Sequence, residues 1–338
     1  MPFYRQLLLL WCITLFSACT SSGPEQPDWI NAASKNYPAN AYLLGRGQSD
    51  NRALAQDRAR ADLSKIFQLR VTEESEDVVK FERQSLANES SATTSASASR
   101  HITTETDQIV EGIRIAELWQ DPANNQFHAL AVLDRNQAAN DLRQAIQNQD
   151  TATEHEIAFA RQQGNLFRQL THASQAVEIQ SSRYENQRVL KVIDPTGIGV
   201  PPIYNLASLR ADRVSLLQRV HIELRLLNDP IGGVEAILQG ALAQAGFQHI
   251  SSTNADYRLE ADLQLDGFPD DKGWFWYRGN LQINLLSKDK NQSQGSHRWD
   301  IKVAAQNAGT AAQRVRNAID KTLNAELRDV IIGFGMSQ

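Results

Sequence analysis

Four stretches in the last third of the chain alternate apolar and polar residues with a period of two, and no other feature restricts the fold as tightly. Ile222, Leu224 and Leu226 are interleaved with His221, Glu223 and Arg225, and Tyr257, Leu259, Ala261, Leu263 and Leu265 with Arg258, Glu260, Asp262, Gln264 and Asp266. The pattern returns at Leu281, Ile283 and Leu285 and at Trp299, Ile301 and Val303. Successive side chains of a strand point to opposite faces, so each stretch predicts a strand with one dry and one wet face. The dry face has to be covered. Two stripes at helical spacing can do so: Val234, Ile237, Leu238, Ala241, Leu242 and Ala245, ended by Gly246, and Val315, Ile319, Leu323, Leu327, Val330 and Ile331, begun near Thr310. The order β-α-β-β-β-α predicts a two-layer α+β domain with an antiparallel sheet over residues 203–338.

Nearer the amino terminus, Tyr42 to Ser49 reads as a strand and Asn51 to Phe67 as an Ala-rich helix. Ser49 or Asp50 is placed to cap that helix, and Ala55, Ala59, Leu63, Ile66 and Phe67 share one of its faces. Phe67, Leu69 and Val71 then alternate as in a strand. Ile113–Asp121 and Phe127–Asp134 read as two strands of a hairpin turning at Pro122-Ala123-Asn124-Asn125. Ser85–Thr106, rich in Ser, Ala and Thr, has too little apolar surface to offset its ordering entropy and reads as an exposed, adaptable segment where subunits could meet.

Residues 141–202 predict a helical connector and linker. Leu142, Ile146, Ile157, Leu166, Leu170 and Ile179 are widely spaced among polar residues, which suggests one helix, a break near Gln149–Thr153 and a second long helix, solvated on most faces or used for oligomerisation. Asp194-Pro195-Thr196-Gly197-Ile198-Gly199-Val200-Pro201-Pro202 has linker composition.

The first 18 residues carry Arg5 and then an apolar run, Leu7–Phe16, too short for the roughly 20 residues of a bilayer-spanning helix but suited to a secretory signal. Leu15-Phe16-Ser17-Ala18-Cys19 resembles the lipobox of bacterial lipoproteins. The resemblance implies cleavage before Cys19, attachment of diacylglycerol to its sulfur and an N-acyl chain such as palmitate. Thr20, in place of Asp, fits sorting to the outer membrane, and residues 19–27, polar and broken by Pro24 and Pro27, read as a flexible spacer. Two or three acyl chains make attachment effectively stable. The chain's two cysteines, Cys12 and Cys19, both lie at this end, so no thiol is left for a disulfide, a thiolate metal site or a nucleophile. A net charge of −5 without a basic run argues against nucleic acid.

Residues 28–140 resemble the Lpp-twenty family of bacterial lipoproteins, on the Pro27-Asp28-Trp29 opening, Gly45-Arg46-Gly47, Ala59-Arg60-Ala61, Glu117-Leu118-Trp119-Gln120-Asp121 and Ala129-Leu130-Ala131-Val132-Leu133-Asp134-Arg135. The resemblance implies a small α/β sandwich with helices on one face of an antiparallel sheet, and no catalysis. With the C-terminal domain, the expected fold is α+β: two two-layer sandwiches joined by a helical connector.

Catalytic patterns are weak. Gly45-Arg46-Gly47 lacks the third glycine of a dinucleotide loop, the seven His are dispersed, no Ser stands in Gly-x-Ser-x-Gly, and Asp262 and Asp266 belong to a solvated strand face. No metal site, cofactor or catalytic residue is expected. Phe268-Pro269-Asp270-Asp271-Lys272-Gly273 instead leads into Trp274, Phe275, Trp276 and Tyr277. Adjacent aromatics on a strand cannot all point inward, so these four are candidates for binding a partner protein, a glycan strand or the membrane interface.

The sequence therefore predicts a non-enzymatic lipoprotein anchored in the outer membrane and facing the periplasm. Its expected role is envelope assembly or scaffolding, with itself or with envelope or flagellar assembly proteins as partners. The alternative is a regulator or binder of the peptidoglycan synthesis machinery, with a synthase or glycan as partner.

Overall fold

The computed structural model describes residues 26–66, 112–250, 254–270, 273–289 and 292–336. The expectations for the signal segment, for Cys19, for a strand after Phe67 and for Ser85–Thr106 lie outside the described residues. The chain divides into two compact units: residues 26–66, 112–140 and 191–197 belong to the first, and residues 141–190 with the described residues from 198 onward to the second.

In the first unit a 3-10 turn, Asp28–Ile30, precedes β1 (Tyr42–Ser49) and helix α1 over 52–66; β2 (Arg114–Gln120) and β3 (Phe127–Asp134) follow. The sheet is antiparallel in the order β1-β3-β2, and the hairpin stands where the sequence places it. Central β3 is a continuous apolar run, with Ala129, Leu130, Ala131 and Val132 all buried, because both faces are covered. On one face α1 lies directly on β1. A Cβ at Gly45 would overlap backbone atoms of Ala59 and Leu63, and one at Gly47 those of Ala55 and Ala59, so the glycines of the strand and the alanines of the helix are two halves of one close approach. Asn51 caps α1 by accepting from the Leu54 amide at 3.2 Å, while Ser49 accepts from the Asn51 amide, so the cap falls just after the expected Ser49 or Asp50. On the other face Trp29, 1% exposed, packs against Leu130 and Val132.

Helices α2 (Arg135–Gln162) and α3 (Leu166–Ile193) correct the connector reading. Residues 141–190 belong with the C-terminal unit and do not stand as a separate connector. No break occurs at Gln149–Thr153; the helix runs on to Gln162, and Asn165 opens the next helix by accepting from the Phe167 and Arg168 amides at 2.8 and 3.1 Å. Polar residues in the middle of α2 face polar residues of α3. Gln180 Nε2 donates to Asp150 Oδ1 at 3.0 Å and to Thr153 Oγ1 at 2.9 Å, and Arg183 Nε donates to Asp150 Oδ1 at 3.2 Å. Thr153, Gln180 and Arg183 are all buried, so side chains that read as solvated satisfy one another inside. The linker composition at Ile198–Pro202 also hides order: Arg183 donates to the Val200 and Pro201 carbonyls, and Gln187 accepts from the Val200 amide.

The second unit adds α4 (Leu206–Arg219), β4 (His221–Asn228), α5 (Val234–Ala245), β5 (Gln248–His249), β6 (Tyr257–Pro269), β7 (Phe275–Ser287), β8 (Gln292–Ala305) and α6 (Ala308–Gly333). The five strands form one sheet in the order β5-β4-β6-β7-β8. The fold is α+β, and β6, β7 and β8 form the expected antiparallel meander. Beyond them β4 runs parallel to β6 and to β5, because α5 carries the chain back across the sheet where a hairpin would have reversed it. The dry face buries Leu259, Ala261, Leu263, Leu281, Ile283 and Leu285 under α5 and α6. Each large side chain so buried contributes about 1.5–3 kcal/mol. Helix α5 ends at Gly246, whose φ of +92° only glycine adopts without strain. Helix α4 has no counterpart in the sequence reading, since Leu217 alone of its residues is buried and its apolar stripe is thin.

Candidate partner-binding site

The wet face of the five-stranded sheet carries two different surfaces. Toward β4 the charges neutralise one another in register: Glu223 stands opposite Arg258, with Oε2 3.4 Å from Nε, and Arg225 opposite Glu260, at 3.6 Å. Lys288 Nζ lies 2.9 Å from Glu223 Oε2, and this hydrogen bond holds the Glu223 carboxyl below the usual glutamate value of 4.5 against a partial desolvation that opposes it.

At the other end the β6–β7 hairpin gathers aromatic rings and cations. Its turn is closed by Asp270, whose amide donates to the Trp274 carbonyl at 2.7 Å and whose carboxylate accepts from the Trp274 amide at 2.8 Å and from Trp276 Nε1 at 2.9 Å. The four candidate residues separate by strand alternation. Trp274 precedes β7 and is 41% exposed. Phe275 and Tyr277 meet edge to face at 5.3 Å, over Gly267 of the neighbouring strand, and Tyr277 packs against the core. Trp276 points the opposite way, beside Phe268, its register partner. The Arg278 guanidinium lies 5.2 Å from the Phe268 ring centre and 5.5 Å from that of Trp276, and Lys302 Nζ lies 5.7 Å from Trp276.

The structure thus brings together Trp276, Phe268, Arg278 and Lys302, with Trp274 at the hairpin tip, and turns Phe275 and Tyr277 to the other face. Sequence reading missed the two cations. Arg278 was accessible, because it follows Trp276 by two residues on the same strand face, whereas Lys302 needs the β7–β8 register, which pairs it with Arg278. Ring faces flanked by cations suit recognition of an anionic or sugar-bearing partner.

The first unit has a polar cleft of about 370 Å³ lined by Trp29, Arg46, Gln48, Asp121, Asn124 and His128. Arg46 there is committed to structure, donating to the Trp29 carbonyl at 2.6 Å and the Ala32 carbonyl at 2.9 Å. Its flanking glycines serve the approach of α1, which accounts for them without a bound phosphate. Asp262 lies on the wet face, where its carboxylate accepts from Gln264 at 2.8 Å. Of the histidines, His172 lies 2.8 Å from Glu156 and His221 3.2 Å from Asp256. Among the described residues no group of three or more His, Cys, Asp or Glu could hold a metal ion, and no helix is long and apolar enough to cross a membrane.

No curated protein matches the chain. Among solved structures it is similar to a secreted protein from the human pathogen Helicobacter pylori, at 11% identity over 84% of this chain and 96% of that one, with a TM-score of 0.41. A minor lipoprotein from Acinetobacter baumannii is similar at 14% identity over 35% of this chain and 90% of its own, with a TM-score of 0.25. Lipoprotein GNA1162 from Neisseria meningitidis is similar at 12% identity over 31% of this chain and 99% of its own, with a TM-score of 0.24. Residues 27–134, the N-terminal third in which Trp29, Gly45, Gly47 and Glu117 build the small sandwich, match the family model of the LPP20 lipoprotein, the Lpp-twenty family of the sequence resemblance.

Proposed function

We propose that the protein is a non-enzymatic lipoprotein, held through Cys19 in the outer membrane and facing the periplasm, that acts as an assembly or scaffolding component of the envelope. The observation that carries this reading is the division of the wet sheet face. Its charged half is internally paired, while the Trp276–Arg278–Lys302 half offers ring and cation surface to a partner. The LPP20 match supports the lipoprotein character. Motility is one setting for such a component.

A second reading is favoured by the same rings: stacking surfaces beside cations suit a glycan strand bearing carboxylates, as expected of a binder or regulator of the peptidoglycan machinery. Cross-linking of the lipidated protein in intact cells, with partners identified by mass spectrometry and Cys19→Ser as the mislocalised control, separates the two. Capture of outer-membrane or flagellar assembly proteins supports the scaffold. Capture of a peptidoglycan synthase, absent from the control, transfers the function to the second reading, and turnover of any small substrate by the purified protein sinks both.

A further inference from the structure

The last strand of the larger sheet has no neighbour on its outer side among the described residues. β8 ends the order β5-β4-β6-β7-β8 and is 14 residues long. Long edges usually carry devices against pairing, among them a proline, a charge turned inward, a bulge or an exposed lysine; of these β8 keeps Lys302, whose charge a partner strand has to accommodate. β8 contains no proline, and its inward-facing residues, His297, Trp299, Ile301, Val303 and Ala305, carry no fixed charge. The register irregularity lies near its start, opposite Leu285/Leu286, and leaves Gly295–Ala305 regular. Beside this edge a notch of about 150 Å³ opens between β8 and α6, lined by Trp299, Ile301, Val303, Ile319 and Leu323 among others.

We infer that this edge pairs with the same edge of a second copy of the chain, β8 to β8 antiparallel about a two-fold axis at Trp299, so that Arg298 of each copy meets Asp300 of the other. Charge and the backbone hydrogen bonding of the edge together select the register. Apolar faces coincide only when the summed numbers of facing residues are even. Centring on Asp300 sets Asp300 against itself and Arg298 against Lys302, and centring on Arg298 sets Arg298 against itself; both place like charges together. Centring on Ile301 also gives two opposite-charge pairs, Asp300–Lys302, but within the regular part of the strand it sets Arg298 against Ala304, whose carbonyl already accepts from Arg314 Nη1 at 2.6 Å; centring on Trp299 pairs Gly295–Val303 and leaves Ala304 out of that regular stretch. Centring on Trp299 gives two Arg298–Asp300 pairs, sets His297 against Ile301, and brings the two Trp299 rings together beside the two notches. The Arg298 and Asp300 side chains are 63% and 82% exposed, and among the described residues they pair with each other along their own strand, at 3.1 Å. This inference goes beyond the proposed envelope role and is judged separately from it.

The test is sedimentation equilibrium of the lipidated full chain in density-matched detergent. The unaltered protein should be a dimer that dissociates on dilution. Arg298→Asp and Asp300→Arg, each exposed and harmless to folding, should each raise the dissociation constant about tenfold or more by setting like charges opposite one another, and the double exchange should restore dimerisation. A monomer at all concentrations overturns the inference. So does a dimer indifferent to the single reversals, or one the double exchange fails to rescue.

Discussion

Trp29 Nε1 donates to Glu117 Oε2 at 2.6 Å, tying the opening turn of the first unit to its edge strand β2 across 88 residues of sequence. The indole also covers Leu130 and Val132 on the sheet face that α1 leaves bare. Trp29→Ala should therefore cost about 3–5 kcal/mol, from lost burial and the cavity left behind, and Glu117→Ala about 1–3 kcal/mol, from an indole N–H left without its acceptor. Denaturant titration followed by tryptophan fluorescence measures both, and equal losses would contradict the larger share assigned to burial.

Gly47→Ala is a sterically sharper perturbation than its size suggests. The added methyl would meet the Ala55 carbonyl and the Ala59 amide, backbone groups that cannot rotate away, so α1 must lift from β1. A loss of about 1–3 kcal/mol is expected, read as a lower thermal midpoint. Gly164→Ala, with nothing within 4 Å of the added carbon, is the control that should leave the midpoint nearly unchanged.

The Asp150–Arg183 pair joins α2 to α3 with side chains 6% and 3% exposed. Arg183→Met alone strands a buried carboxylate and should cost about 3–5 kcal/mol. Adding Asp150→Leu should recover part of that loss, giving a coupling of about 0.5–3 kcal/mol in a double-mutant cycle. Strict additivity of the two substitutions would mean that the ion pair contributes nothing as a pair.

Glu223 supplies a pH dependence. Its folded value is held below 4.5 by the Lys288 hydrogen bond and, secondarily, by the charges of Lys288 and Arg258. A depressed carboxylate stabilises the fold above its unfolded value, and that contribution is lost as pH falls through the folded value. The stability difference between the unaltered protein and Glu223→Gln should thus be constant near neutrality and shrink as pH drops below about 4.5. Urea titrations at stepped pH measure it; a difference that grows toward acid would reverse the sign of the argument.

Trp276→Ala removes the ring beside Arg278 and Lys302, contacts each worth about 0.5–1 kcal/mol at exposed sites. The fold should survive with a small loss while partner capture in cells falls sharply. Retained capture alongside unchanged melting would move the binding surface elsewhere.

How far the sequence could be read depended on what each residue faces. The C-terminal strands and the stripe from Val315 to Ile331 were legible because each presents one apolar face to one core, so period alone assigns them. The middle of the chain was not, because Asp150, Thr153, Gln180 and Arg183 are polar and buried together; composition cannot distinguish a polar residue facing water from one facing another polar residue. At the candidate site Trp276 stood out, and the separation of Phe275 and Tyr277 from it follows from alternation. Lys302 joins them only through the pairing of β7 with β8, a long-range register that no local pattern encodes.

The first unit is discontinuous: Arg135, near the end of its stretch 112–140, donates to the Ala39 carbonyl of the leading stretch at 3.0 Å and to the Ile193 carbonyl at 2.8 Å, the latter contributed by residues 191–197. On a ribosome the small sandwich therefore cannot make its last hydrogen bonds when Asn140 emerges. At about 5–20 residues per second it must wait on the order of seconds while the rest of both long helices is synthesised.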